Sequence, residues 1–476
     1  MRFRTDSFHA PASCLLALGF CAVAPVQAQH LESATTRAVD GVFAAYDSDQ
    51  TPGCALTVLD QDEVVYGGVY GMADLEHGLP ITARSVFRTG SVSKQFTAAV
   101  VVLLAEEGVL SLDDPVRKYL PELPGITDDI TLRHLLHHTS GIRDYLDLMA
   151  LAGRGSDDFY RKEQALDLLV RQRALNFPTG TQFVYSNSGY FLLSQVVERA
   201  TGRTLRQEAQ ERIFGPLGMT RTHFHDDRNE IVVDRADGYA PLEGGGYEIS
   251  MTKLDLVGDG GVFTSADDLA LWLAHLDGEQ AAGSAFMNTM LARGSLADGT
   301  TLRYAMGLGH GTYRGMRYVG HGGSFVGFRA ATVQFPAARA SFGVLCNRAD
   351  ADAMGLALEV AGVVLDGRMD SPEPPRSEPD EDAGEAEPPP SVPDGSVEEL
   401  VGTYFSPELD ATYDIRTEGE GLVVEVDGIR TLRLSYQEPD VYRAMFTTLR
   451  FHREAGRVVG LGATLPRASA IEFVRR

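Results

Sequence analysis

The pattern of apolar and polar positions divides this chain into a long mixed region and a shorter region of strands alone. Apolar spacing predicts an amphipathic helix over residues 31–47, and residues 54–71 follow as two β-rich runs joined by a turn. Helical patterns dominate between residues 87 and 276. Further strands are predicted at residues 304–313, 317–321, 327–335 and 340–346, and a last helix over residues 352–365. This order predicts an α+β fold, an antiparallel sheet flanked by helices with an inserted all-helical lobe.

The C-terminal part has a different pattern. Residues 370–395 are rich in Pro and acidic residues and nearly lack apolar ones, so we expect a solvated linker there. Residues 396–476 contain eight short alternating segments at near-regular spacing, which predicts a small closed antiparallel β-barrel. The preceding folded domain is then expected to span residues 29–369.

The first 28 residues have the pattern of an export signal. Residues 1–28 combine an Arg-bearing start, a short apolar run and the small-residue cleavage site Val26-Gln27-Ala28, which predicts a cleaved signal peptide. The mature protein is therefore expected in the periplasm or outside the cell, with no membrane anchor. Cys54 and Cys346 remain after cleavage; export permits a disulfide, but we expect two buried thiols packed as small hydrophobes.

Charge and motifs exclude several classes of function. The chain has 42 basic and 66 acidic residues, a net charge of −24, which argues against a nucleic-acid or anionic-membrane partner. The sequence contains no G-x-S-x-G elbow and no glycine-rich phosphate loop, so neither an α/β-hydrolase nor a nucleotide cofactor is expected. His134, His137 and His138 lack the spacing of a metal site, and we expect them to pack at helix ends and loops. We predict no metal and no cofactor.

Candidate chemistry starts at Ser91 and Lys94, within "FRTGSVSKQFTAAVVVLL". Residues three apart on a helix share a face, and Gly90 permits a tight turn just before the serine. Burial and the positive helix terminus both disfavour an ammonium, so Lys94 could lose its proton and activate Ser91 as a nucleophile. Alternatively, Ser91 is an N-cap and Lys94 reaches solvent.

Two further stretches offer complementary groups. In "FVYSNSGYFLL", the Tyr185 phenol could act as an acid near a lysine, and the Asn187 amide could orient it. Taken alone, Tyr185 could equally pack in the core while Asn187 caps a helix.

In "RYVGHGGSFVGF", Gly322 and Gly323 are expected at the end of a strand, which they leave without side chains. A substrate could then lie along the backbone of this strand. His321 would then point into the cleft, and the Ser324 N–H would be a second oxyanion donor beside that of Ser91. The alternative is a glycine-rich turn with a surface histidine.

Together, Ser91-Val92-Ser93-Lys94, Tyr185-Ser186-Asn187 and His321-Gly322-Gly323 resemble the motifs of the serine β-lactamase and penicillin-binding-protein superfamily. The resemblance covers residues 31 to about 366, and the Tyr-x-Asn form is similar to class C β-lactamases, D-alanyl-D-alanine carboxypeptidases, D-aminopeptidases and esterases. It implies that Ser91 is acylated, that Lys94 and Tyr185 transfer protons, and that the Ser91 and Ser324 N–H groups form the oxyanion hole. The C-terminal barrel resembles the lipocalin-like domains appended to some D-aminopeptidase-like members.

One departure from the family pattern narrows the expected substrate. β-Lactamases usually carry Lys-Thr-Gly as the third motif, whose threonine helps to bind a substrate carboxylate; Gly322 cannot do so, although Ser324 or Arg329 could substitute. We therefore predict a D-aminopeptidase-like peptidase, amidase or esterase. The protein could also assemble as a homo-oligomer. The alternatives are a D-alanyl-D-alanine carboxypeptidase or class C-like β-lactamase, and, from another class, a non-catalytic protein that binds cell-wall peptides or other ligands.

Overall fold

The computed structural model describes residues 30–155, 158–369, 397–419 and 421–476. The predicted signal peptide and linker lie outside these ranges. The strands of the first region are β1 (Cys54–Asp60), β2 (Glu63–Tyr70), β3 (Met72–Asp74), β4 (Leu79–Pro80), β5 (Phe87–Arg88), β6 (His223–Phe224), β7 (Tyr239–Pro241), β8 (Tyr247–Ile249), β9 (Val262–Thr264), β10 (Gly309–Tyr313), β11 (Met316–Phe325), β12 (Phe328–Phe335) and β13 (Ala340–Cys346).

Helices supply the layers around the sheet and the lobe beside it. They are α1 (Ser33–Val42), α2 (Ser93–Glu106), α3 (Leu132–Leu136), α4 (Tyr145–Leu151), α5 (Lys162–Val170), α6 (Asn187–Thr201), α7 (Leu205–Ala209), α8 (Gly215–Leu217), α9 (Ala266–Ala282), α10 (Ala285–Met290) and α11 (Ala353–Val364). No helix in the described ranges combines the length and the apolar content needed to cross a bilayer.

Six strands form one antiparallel sheet in the order β10-β11-β12-β13-β1-β2. The central strand β13 is buried at every position, as expected for a strand covered on both faces. Helices α1 and α11 pack on one face of the sheet, and α9 packs on the other. The predicted fold class, an antiparallel sheet with flanking helices, is confirmed.

Three element boundaries differ from the sequence predictions by four residues or more. The predicted first helix ends at Val42, because the chain turns at Phe43. The strand predicted at 304–313 begins only at Gly309. Strand β11 does not end before Gly322 as expected but continues to Phe325, because its pairing with β12 persists through both glycines.

The two cysteines form a disulfide, so the expectation of two free thiols is wrong. In the antiparallel register of β1 and β13, Cys54 lies directly opposite Cys346. The two residues are 292 positions apart in the chain, and only the pairing of these two strands brings them together.

The C-terminal region is a closed eight-stranded antiparallel barrel, as predicted. Its first and last strands pair and thereby leave no free sheet edge. Aromatic side chains fill the interior, among them Tyr404, Tyr442, Phe451 and Phe473. The strands are β14 (Gly402–Ser406), β15 (Ala411–Glu418), β16 (Gly421–Val426), β17 (Arg430–Glu438), β18 (Val441–Ala444), β19 (Thr447–Glu454), β20 (Arg457–Leu465) and β21 (Ala468–Arg475).

The barrel is docked on the helical lobe through buried polar contacts. Arg143 Nη1 lies 2.7 Å from Glu408 Oε2, and their side chains are only 2% and 5% exposed. The Tyr413 hydroxyl donates to the Leu151 carbonyl at 2.7 Å. Buried charges are tolerated only when paired, so this interface depends on the two regions meeting in one arrangement.

Candidate active site

Ser91 and Lys94 meet at the start of α2. Gly90 has a φ of +52°, a conformation that favours glycine, and it opens a 3₁₀ turn over Gly90–Val92 that leads into the helix. The Lys94 Nζ lies 3.2 Å from the Ser91 Oγ. Lys94 is fully buried, whereas Ser91 remains partly exposed. The alternative in which Lys94 reaches solvent is therefore wrong.

The contacts of Lys94 define where its hydrogens point. Nζ donates to Asn187 Oδ1 at 2.9 Å and to the Asp259 carbonyl at 2.6 Å. Both oxygens accept hydrogen bonds, so in a neutral amine they engage the two hydrogens of Nζ. The remaining lone pair then faces the Ser91 hydroxyl. This arrangement can take a proton from Ser91, the chemistry that an activated serine nucleophile needs.

Asn187 is held in place from the opposite side. It is the first residue of α6, and its backbone N–H donates to Asp144 Oδ2 at 2.6 Å. Asp144 is fully buried and also caps α4. The predicted orienting role of Asn187 toward Lys94 thus has a matching geometry.

Tyr185 lies beside the lysine without bonding to it. Its ring centre is 4.8 Å from the Lys94 Nζ, and the His138 ring lies 4.2 Å away on another side. Among the described residues, the buried Tyr185 hydroxyl has no hydrogen-bond partner. An unpaired buried hydroxyl is costly, so a group that enters the cavity and bonds to the Tyr185 hydroxyl would be favoured.

His321 faces the cavity, held as a neutral ring. Its Nδ1 lies 2.6 Å from the Gly322 carbonyl, which can only accept, so Nδ1 carries the hydrogen and Nε2 accepts from the Tyr304 hydroxyl at 2.9 Å. Burial is the main cause that lowers the pKa of His321 to about 4. His321 is therefore uncharged at neutral pH.

The glycines of β11 allow that strand to touch the serine turn. A methyl group added at Gly323 would lie 2.0 Å from the Thr89 carbonyl, and one added at Gly90 would lie 2.8 Å from the Ser324 nitrogen. The backbone of β11 thus packs directly against the turn that carries Ser91. Ser91 and Ser324 line the same cavity, and the oxyanion hole formed by their N–H groups stays a prediction.

A cavity of about 740 Å³ opens over these residues. Ser91, Tyr185, Asn187 and His321 line it, together with Gly322, Gly323, Ser324 and Arg329. The site residues predicted from three separate stretches therefore share one cavity. Arg329, considered for carboxylate binding, donates instead to the Val326 and Phe328 carbonyls.

Sequence reasoning missed Asp259, which lines the same cavity and whose backbone carbonyl accepts from Lys94. The Tyr145 hydroxyl lies 3.1 and 3.2 Å from the two carboxylate oxygens of Asp259. Burial raises the pKa of Asp259 to about 6, against a smaller lowering by Lys94. The only sequence signal was the glycine-rich setting of "VGDGGVF", which marks a close backbone approach without naming the partner.

Sequence reasoning also missed Arg467, which comes from the barrel. The hairpin between β20 and β21 is fixed by its backbone: Arg467 O accepts from the Asp144 N–H at 2.9 Å, and its N–H donates to Asp147 at 2.8 Å. The guanidinium lies 5.6 Å from the Tyr185 ring centre and lines the cavity. The barrel therefore contributes part of the cleft wall, which no local pattern in the sequence indicated.

The histidines considered for metal binding bond separately to the backbone. His134 Nδ1 accepts from the Thr131 N–H and His137 Nε2 donates to the Ala292 carbonyl, each at 3.1 Å. His138 Nδ1 accepts from the Ser186 N–H at 3.1 Å. In the described part of the chain these three do not form a group of metal-ligand geometry.

Comparisons with known proteins identify the family of the chain. A family model described as beta-lactamase matches residues 37–364, more than half of the chain. A D-aminopeptidase of Cereibacter sphaeroides is 31% identical over 296 residues, which is 62% of this chain and 57% of that protein. The chain thus spans little more than half the length of this relative.

Solved structures share the fold. A penicillin-binding protein homologue from Pyrococcus abyssi, described as octameric, aligns with a TM-score of 0.61 and 21% identity, covering 93% of this chain and 99% of that one. A D-amino acid amidase from Ochrobactrum anthropi SV3 aligns with a TM-score of 0.60 and 22% identity, covering 71% and 100%.

The fold and site define a class of serine hydrolase built on the β-lactamase and penicillin-binding-protein scaffold. The chain belongs to the beta-lactamase family. The predicted superfamily and the predicted enzyme class are confirmed at this level.

Proposed function

We propose that the protein is an exported hydrolase that forms an acyl-enzyme at Ser91 and cleaves amide or ester bonds, with D-amino-acid peptides or amides as the favoured substrates. The observation that carries the proposal is the 3.2 Å contact between the Lys94 amine and the Ser91 hydroxyl at the floor of the cavity. Two carbonyl-type oxygens accept the hydrogens of the neutral amine, and its lone pair points toward the Ser91 hydroxyl.

The reaction follows from the proton positions. Ser91 Oγ attacks the substrate carbonyl while its proton moves to Lys94 Nζ, and the Ser91 and Ser324 N–H groups stabilise the oxyanion. The proton that Lys94 took then moves to the leaving nitrogen or oxygen, and the unpartnered Tyr185 hydroxyl is the candidate relay, giving its own proton to the leaving group and regaining one from Lys94. Water then attacks the acyl group, and the same groups return the proton to Ser91.

The choice of substrate rests on the third motif and on the relatives. His321 is neutral and Gly322 has no side chain, so these two positions of the third motif offer neither the lysine charge nor the threonine hydroxyl of Lys-Thr-Gly. D-Aminopeptidases are among the relatives, and a D-amino acid amidase is among the structural neighbours. Both points favour an aminopeptidase-like or amidase-like activity over efficient β-lactam hydrolysis.

Export and assembly belong to the same proposal. The Cys54–Cys346 disulfide supports an oxidising compartment. The described octamer of the Pyrococcus homologue supports a homo-oligomer, which light scattering of the purified protein tests.

The decisive experiment compares the wild type with Ser91→Ala and with Ser435→Ala, a barrel-wall control. A serine-reactive fluorescent phosphonate should label the wild type and the control but not Ser91→Ala. Turnover of D-alanine p-nitroanilide should follow the same order. Labelling or turnover that persists in Ser91→Ala refutes the nucleophile assignment.

A substrate panel separates the alternatives. Matched D- and L-amino-acid amides, a D-alanyl-D-alanine peptide, p-nitrophenyl esters and nitrocefin should give fastest turnover with the D-amides or esters. Release of terminal D-Ala, or stable capture of penicillin at Ser91, would favour the carboxypeptidase or β-lactamase alternative. Binding of wall peptides with no turnover of any substrate would favour the non-catalytic alternative.

A further inference from the structure

A cluster of two imidazoles and one carboxylate lies outside the catalytic cleft. His223 Nε2 and His225 Nδ1 are 3.3 Å apart, and each is 3.7 Å from Glu230 Oε2. Within the described ranges, this is the one group of three potential metal ligands whose atoms all lie within 4.8 Å of one another. The catalytic proposal uses none of the three.

The local structure explains why these side chains converge. His223 and His225 alternate along β6 and its end, so both project from one face while Phe224 between them is buried on the other. The chain then turns, with the Glu230 N–H bonded to the Asp227 carbonyl, and brings its carboxylate back to the imidazoles.

Arg206 holds the carboxylate in that position. Its Nη1 and Nη2 each lie 2.6 Å from one oxygen of Glu230, and Nη1 also bonds Asp226 at 3.0 Å. Ligating carboxylates are commonly fixed by such outer hydrogen bonds. Oε2 keeps a second lone pair on the side of the imidazoles.

The distances match a metal site. Bond lengths of about 2.0–2.1 Å place neighbouring ligands of a tetrahedral Zn²⁺ ion about 3.4 Å apart. The observed edges of 3.3, 3.7 and 3.7 Å lie close to that value. We propose that His223, His225 and Glu230 bind one divalent transition-metal ion of the Zn²⁺ type, with water as the fourth ligand.

The site is sheltered yet reachable. The side chains of His225 and His223 are only 4% and 16% exposed. A surface cavity of about 310 Å³, flanked by Ile231 and Val233, reaches His223. An ion and its water therefore have a route to the site.

The position in the fold indicates a structural role. Strand β6 pairs with β9, and β9 pairs with β5, which runs directly into the turn of Ser91. The Phe263 ring of β9 contacts the His225 ring at 4.5 Å and lies 5.7 Å from the Arg88 guanidinium, which lines the cleft. A bound ion would tie the edge strand β6 to its following loop and stiffen the small sheet behind the nucleophile.

The test uses the full-length protein without a histidine tag, stripped with a chelator and titrated with Zn²⁺ by calorimetry and with Co²⁺ by visible absorption. We expect one ion per chain, the intense visible bands of tetrahedral Co²⁺, and a Tm that rises by several degrees with excess Zn²⁺. His225→Ala and Glu230→Gln should weaken binding more than about 100-fold, because each loses a direct ligand where even outer-shell changes cost about 10–100-fold.

The control is His77→Ala, which removes an exposed histidine paired only with Asp74 and should bind like the wild type. Equal binding by the wild type, His225→Ala and Glu230→Gln overturns the proposal, as does the absence of a Co²⁺ spectrum in the wild type. In that case the two imidazoles are simply hydrogen-bonded to each other. If His225→Ala fails to fold, the near-isosteric Glu230→Gln decides, and neither result depends on the hydrolase activity.

Discussion

The buried ion pair between the helical lobe and the barrel gives the sharpest prediction about stability. Glu408 Oε2 accepts from Arg143 Nη1 at 2.7 Å and from the Arg173 backbone N–H at 2.9 Å. Arg143 also donates to Gln172 and to the Ala470 carbonyl, so the guanidinium cannot turn away to solvent. Changing Glu408 to Gln therefore leaves a positive charge buried without its counter-charge.

The expected loss is about 3–5 kcal/mol in the free energy of unfolding, the usual cost of removing one partner of a buried pair. Urea unfolding followed by fluorescence and circular dichroism measures it. The matched control is Glu438→Gln, whose partner Arg450 lies on the barrel surface with both side chains about 60% exposed. That change should cost less than about 1 kcal/mol.

A double variant tests the cause. Replacing the pair together, Arg143→Met with Glu408→Leu, removes both charges and should recover much of the stability lost in Glu408→Gln. A Glu408→Gln variant that is as stable as the Glu438→Gln control would refute the reasoning, because it would mean that water reaches the pair and that the barrel is not docked as described.

Three further predictions concern the cleft. Gly323→Ala should cost about 1–3 kcal/mol in the free energy of unfolding and lower turnover, because its methyl would meet a backbone oxygen at 2.0 Å. Gly322→Ala is the control and should fold like the wild type, since the nearest neighbour of its methyl is a methionine methyl at 3.8 Å. Equal stability of the two variants in thermal unfolding would contradict this. The advantage in stability of Asp259→Asn over the wild type should grow by up to about 3 kcal/mol from pH 4 to pH 8. Burial raises the pKa of the Asp259 carboxyl from 3.8 to about 6, so the wild type loses the stability of the neutral carboxyl as pH rises through that value. An advantage in urea unfolding that is equal at pH 4 and pH 8 would exclude this cause. Arg467→Ala keeps the backbone contacts of the hairpin but removes a guanidinium 3.6 Å from the buried Asp144 carboxylate. It should lower kcat/KM about 10-fold or more for substrates carrying a carboxylate near the scissile bond, and less for matched substrates without one. An equal loss for both kinds of substrate, or a change no larger than that of the surface control Arg450→Ala, would remove Arg467 from substrate binding.

The contact between Ser91 and Lys94 could be predicted because their relation is local. Ser91 lies in the 3₁₀ turn that leads into α2 and Lys94 in the first turn of α2, and helical spacing of three residues predicts that they share a face. The eight barrel strands were predictable for the same reason, since alternation with a period of two is a local property. Tyr185 and His321 could be proposed from their motifs, but their distances to Lys94 could not.

Other features depend on contacts between distant parts of the chain, which no local period encodes. The disulfide follows from the register of β1 against β13, and the cluster of His223, His225 and Glu230 follows from a loop that folds back on its strand. Arg467 reaches the cleft because a buried ion pair and a hairpin backbone dock the barrel beside it. By itself, the sequence determined the elements and the chemistry available at each motif, because propensity and periodicity act over a few residues. The tertiary structure decided which groups meet, because burial and strand register act between residues that are hundreds of positions apart.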